Sequence, residues 1–149
     1  MARQQARSTE TQLDRDVCTL VHQFAQRLDT HARHVGDELG ITAAQVVALR
    51  ELSDPITARE LATRMFCEPS NVTFILDRLE QQGMIERRPH PTDRRAKQIV
   101  LTPSGRRRRA DVLTRMRTQS PLTALTDAEQ ESLRALLRTL VAEQEERRE

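Results

Sequence analysis

The sequence predicts a mainly α-helical chain built around a winged helix-turn-helix, with further helices before and after it. Three observations carry this reading. Apolar residues recur at steps of three and four along most of the chain, only 4 Gly and 6 Pro interrupt 149 residues, and beyond Gly83 the period changes to two. With 37% hydrophobic residues the chain can close a core of ordinary size.

From Leu13 onward Val17, Leu20, Phe24, Leu28, Val35 and Leu39 form one stripe of a long helix that also carries His31. Such a helix, about seven turns, exceeds what a small domain uses internally, so its ends are expected to pack on a partner chain. Gly40 ends it. Thr42 and Gln45 form a capping-box pattern ahead of Val46, Val47, Leu49 and Leu52, and Asp54-Pro55 closes that second helix. Thr57 and Glu60 repeat the pattern before Leu61, Ala62 and Met65. After a break at Cys67-Glu68, Pro69 suits the first position of a helix whose Val72, Ile75, Leu76 and Leu79 lie within about 100° of arc. Two helices across a short break make a helix-turn-helix.

Past Gly83, Ile85 and Arg87 alternate on one arm of a β-hairpin, with Lys97, Ile99 and Leu101 on the other. The loop between them carries Pro89 and Pro91, which keep it out of a regular ladder, and the adjacent Arg94 and Arg95. This is a wing. Thr102-Pro103 restarts helix, with Val112, Leu113 and Met116 as its apolar side, and Ser120-Pro121 breaks it. A last helix opens on Thr126 and Glu129 and aligns Leu133, Leu136, Leu137, Leu140 and Val141.

The charge is uneven. Residues 55–109 hold 12 basic and 6 acidic groups, a net +6 against +2 for the whole chain, and every basic residue except Lys97 is Arg. A polyanion partner fits this balance, but a solvated charged face fits it equally, so the motifs decide. Opposite the buried face of the second helix of the helix-turn-helix stand Ser70, Thr73, Phe74, Asp77, Arg78 and Gln81, with Asn71 at the edge. Short donors and acceptors near a helix N-terminus reach base edges or phosphates, and free backbone N–H groups there favour an anion. Phe74 has two readings, a contact to a thymine methyl or a ring folded against the wing or the preceding helix. Double-stranded DNA is the expected partner.

These segments together resemble the MarR (multiple antibiotic resistance regulator) family. They are ITAAQVVALREL, ARELATRMF, EPSNVTFILDRLEQQGMIERR, PTDRRAKQIVLTPSG and LTDAEQESLRALLRTL, in that order. The resemblance spans nearly the whole chain and implies a homodimeric regulator of transcription, expected to act as a repressor; its two-fold symmetry predicts a palindromic operator, and the lack of a membrane-length apolar run or signal-peptide core predicts a cytoplasmic location. The implied division is a dimerisation helix at 1–40, a winged module at 41–109 and dimerisation helices at 110–149, intertwined as one structural domain. Carried over by position, Ser70, Asn71 and Thr73 begin the groove-contacting helix, and Arg78 lies in its Asp-Arg-Leu-Glu stretch. Asp93 orients the wing tip and Arg95, beside Arg94, enters the minor groove. Phe74 departs from the family, where Arg is frequent, which implies a different base contact or more reliance on DNA shape.

The resemblance further implies a small aromatic or phenolic effector, for which Phe24, His31, Val35, Val46 and Arg50 are the candidate pocket residues. His31 on an apolar stripe is more often a satisfied interface group than a ligand. A thiol-based redox sensor using Cys18 is the alternative; such sensors support the thiolate with tyrosine hydroxyls, and this chain has no Tyr, leaving Arg15 and His22 as substitutes. Cys67 reads as a small buried side chain. His31 and His34 with Asp37 or Glu38 lack a further His or Cys at ligand spacing, so no metal and no cofactor are expected. The sequence shows no apolar run of membrane length, no signal-peptide core, no phosphate loop and no nucleophile elbow, so neither a membrane partner nor catalytic residues are expected. A helical scaffold that does not bind DNA would explain the terminal helices but not the arginine-tipped hairpin.

Overall fold

The computed structural model describes the backbone of residues 2–146 and the side chains of residues 12–142. It divides into two compact units, one up to Thr118 and one from Gln119 onward.

In the first unit α1 (Ala2–Leu39) runs into Gly40 at φ 68°. Gly40 takes this left-handed turn without steric cost, and the Ile41 N–H then donates back to the Gly36 carbonyl at 2.9 Å. Both expected capping boxes form, Thr42 with Gln45 ahead of α2 (Ala43–Glu51) and Thr57 with Glu60 ahead of α3 (Ala58–Met65). α4 (Pro69–Gln81) begins on Pro69 and stops before Gly83. The hairpin is β2 (Ile85–Pro89) and β3 (Lys97–Leu101), in register Ile85 to Leu101 and Pro89 to Lys97. A third strand joins it, β1 (Ile56–Thr57), which pairs Ile56 with Ile99, so the antiparallel sheet runs β1-β3-β2. α5 (Pro103–Thr118) follows.

The core lies where these elements meet. Val35 of α1, Val46 and Leu49 of α2, Leu61 of α3, Leu76 and Leu79 of α4, Ile99 of β3 and Val112 of α5 are all essentially fully buried. Gly105 fixes the approach of α5 to the hairpin, because a Cβ there would stand 1.8 Å from the Met84 carbonyl oxygen. The second unit holds a short 3-10 helix, Pro121–Ala124, and α6 (Asp127–Glu146), whose first turn is tied by Thr126 and Glu129.

Large apolar side chains remain exposed on both long helices. Leu13, Val17, Leu20, Val21 and Leu28 stand out on α1, and Leu136, Leu137, Leu140 and Val141 on α6. These include most of the stripe positions expected to meet a partner chain. The inner end of the α1 stripe, Val35, is instead core. Among the described residues no helix is long and apolar enough to cross a membrane.

The α3 cap makes a first prediction. The Thr57 N–H and hydroxyl both hold the Glu60 carboxyl below the usual glutamate range, with the Arg64 charge a smaller contributor. A lowered folded-state pKa stabilises above the unfolded value and is lost as pH falls through the folded one. Thr57→Ala is therefore expected to cost about 1 kcal/mol at neutral pH, with the gap from wild type narrowing below about pH 4. Urea unfolding at a series of pH values measures both.

Candidate nucleic-acid interface

Burial of Val72, Leu76 and Leu79 fixes how α4 is rotated. The opposite face is exposed and carries Ser70, Asn71, Thr73, Phe74, Asp77, Arg78 and Gln81, as the spacing predicts. The Thr73 hydroxyl donates to the Pro69 carbonyl at 3.1 Å, which orients that side chain. Phe74 is 66% exposed, so its ring is not folded against a neighbouring element.

At the start of α4, Pro69 has no N–H, and the Asn71 and Val72 N–H groups both donate to the Glu68 carbonyl, at 3.0 and 3.4 Å. Of the free N–H groups expected there, that of Ser70 remains, beside the exposed side chains.

Asp77 also has a different role from its neighbours on that face. Arg87 of β2 reaches across to it at 2.6 Å and to Glu80 as well, binding the wing to α4. Sequence reading placed Arg87 only as a strand residue; no spacing rule joins it to carboxylates seven and ten positions earlier. The Arg87 guanidinium offsets one of the two carboxylate charges, so less negative charge faces a polyanion.

The wing tip is built from its own side chains. His90 Nδ1 accepts from the backbone N–H groups of Thr92 and Asp93 at 3.3 and 3.1 Å, and the Ala96 N–H donates to the Asp93 carbonyl at 3.2 Å. Asp93 Oδ1 accepts from the Arg95 N–H at 2.9 Å, while Arg94 and Arg95 project exposed, with no ion pair among the described residues. His90 was missed because its role is turn chemistry rather than charge. Asp93→Ala should loosen the tip without touching the core. The expected result is a fall of about fivefold in affinity for duplex DNA with an unchanged unfolding midpoint, read by fluorescence anisotropy and thermal melting.

The candidate pocket residues lie apart from one another in character. Val35 and Val46 are in the core, Phe24 is half-buried, and Arg50 is exposed and paired with Glu51 at 2.7 Å. His31 is buried with its Nε2 3.1 Å from the Met116 carbonyl, the satisfied state expected of a helix-packing histidine. A cavity near them is lined instead by Asp29, Ala32, Arg33, Ala43, Ala44, Val47 and Met65. Cys18 is exposed, and His22 Nδ1 sits 2.7 Å from its backbone carbonyl rather than on its sulfur. Cys67 is half-buried, and His34 pairs with Glu38 at 3.2 Å. Among the described residues no three His, Cys, Asp or Glu side chains gather as a metal site.

The MarR family model matches residues 41–97, from the Ile41-Thr42 turn through the start of the return strand of the wing. The transcriptional regulator YsmB of Bacillus subtilis (strain 168), of the helix-turn-helix type and itself uncharacterised, is 31% identical over 103 residues, covering 67% of this chain and 70% of YsmB. The chain belongs to the MarR family. The transcriptional repressor MdtR of the same organism is 32% identical, over 63% of this MarR-family chain and 62% of its own length. Among solved structures, a mutant MarR from E. coli in complex with operator DNA superposes with a TM-score of 0.70 at 28% identity, covering 84% of this chain and 93% of that one. Like the family, the chain is a winged-helix transcriptional regulator and not an enzyme.

Proposed function

We propose that this MarR-family chain acts in the cytoplasm as a homodimeric repressor, binding a palindromic operator and released from it by a small aromatic or phenolic effector. The observation that carries the reading is the joint presentation, in one module, of the exposed α4 face and an exposed arginine pair on a wing tip whose backbone Asp93 braces at Arg95. A narrow minor groove concentrates negative potential and rewards Arg95 there, whereas Ser70, Asn71, Thr73, Phe74 and Arg78 have the donors, acceptors and apolar surface to discriminate bases in the major groove. The exposed stripes of α1 and α6 support dimerisation, since apolar faces of this extent are seldom left in water.

Two-fold symmetry then sets half-sites about 10 base pairs apart, centre to centre. Of the candidate effector residues, Phe24, His31 and Arg50 have the aromatic, hydrogen-bonding and charged groups that a phenolic anion would need; Val35 and Val46 could take part only after core rearrangement. Selecting bound fragments from genomic DNA, then screening phenols and oxidants for release, tests operator and effector together. A common palindrome released by a phenol is expected. Release by peroxide alone, abolished in Cys18→Ser, would replace this reading with the redox one.

A further inference from the structure

The homodimer proposed above would cover the exposed apolar side chains of the two long helices. Among the described residues, the large exposed hydrophobics that remain are Phe66 and Phe74, and both belong to the helix-turn-helix. Phe66 is the more extreme, 92% exposed at the C-terminal cap of α3, with φ 52° and ψ 41°. It is also the only non-glycine residue described with positive φ. A bulky side chain pays steric strain in this left-handed region, where Gly or Asn sits with far less, and a ring in water gains no packing to offset it. Folding therefore does not account for Phe at this position.

Its surroundings indicate what does. Phe66 lines one shallow groove with Arg59, Thr63, Glu68 and Asn71, so its surface is continuous with the start of the proposed reading helix. Arg59 and Glu68 offset one another in charge, so attraction for phosphate is not the feature that distinguishes this groove. An apolar ring is.

We infer that Phe66 is a DNA-contacting residue, making an apolar contact with the duplex at the edge of the groove that α4 enters, against a thymine methyl or a deoxyribose ring. The inference rests on the DNA-binding reading above. The left-handed backbone at the turn holds the ring outward, where a helical or extended residue would direct its side chain elsewhere.

The test separates binding from folding. Phe66→Gly and Phe66→Asn both suit the left-handed backbone, so each should unfold at the same urea concentration as wild type or a higher one. Each should nevertheless lose about tenfold in affinity for the selected operator, with the salt dependence unchanged because no phosphate contact is lost. Replacing operator thymines by uracil, one at a time, assigns the contact: a wild-type loss absent from Phe66→Gly marks a methyl, and no such position marks the sugar. Wild-type protein that binds the operator while both variants bind it equally well would overturn the inference and leave the DNA-binding reading standing. Wild-type protein that binds no duplex would remove that reading itself. A variant destabilised relative to wild type would also count against it, by giving Phe66 a structural role.

Discussion

Replacing Arg94 and Arg95 together by Ala is expected to lower affinity for an operator duplex by about 100-fold near 0.1 M salt, with dimer mass and unfolding midpoint unchanged. Both side chains are exposed and unpaired among the described residues, so their removal leaves no buried charge and opens no cavity. In the proposed homodimer this removes four cations from the contact surface. If all four neutralise phosphate charge, the slope of log K against log salt should become shallower by about 3 to 4. Arg87→Ala provides the contrast. It releases Asp77 and Glu80 and unfastens the wing from α4, so it should weaken binding even though Arg87 itself faces carboxylates rather than DNA. Equal affinities for wild type and the Arg94/Arg95 variant would mean that the wing does not touch the duplex.

The second large effect concerns assembly. Leu136→Glu combined with Leu140→Glu places two carboxylates on the exposed apolar stripe of α6, where the wild-type side chains are 65% and 57% accessible. Little packing within the single chain is lost, so any consequence must come from a partner. The expected result is a shift to monomer in sedimentation velocity at micromolar concentration, with operator affinity falling by at least about 1000-fold. A single half-site lacks the effective concentration that joins two binding events. A double variant that keeps the wild-type mass and affinity would place the dimer interface elsewhere.

Much of this fold could be read directly from the sequence because its signals are local. Thr42 with Gln45 and Thr57 with Glu60 are three-residue patterns whose physics is complete within one turn, and both form as expected. Gly40, Pro69 and Gly83 mark element ends for the same reason. The face of α4 followed from helical period alone. What escaped notice depends on tertiary approach. The Arg87 clamp joins a strand to a helix across a turn, and the His90 brace depends on a loop conformation that composition does not specify. Phe66 was hidden because the break was assigned to Cys67-Glu68, while the left-handed residue precedes it and is not a glycine. Pocket residues fared differently: an apolar stripe cannot distinguish a ligand wall from a core, and Val35 and Val46 proved to be core.

The central claim is that the α4 face and the arginine wing act as a pair, twice per dimer, on one duplex. Hydroxyl-radical footprinting, which reads the sugars of the minor groove, combined with dimethyl sulfate protection of guanine N7, which reads the major groove, tests this most directly on a genomically selected operator. The account predicts two protected major-groove half-sites about 10 base pairs apart, flanked by minor-groove protection that disappears selectively in the Arg94/Arg95 variant, with two chains bound per duplex. Protection confined to a single half-site, or flanking protection that survives loss of both arginines, would contradict it.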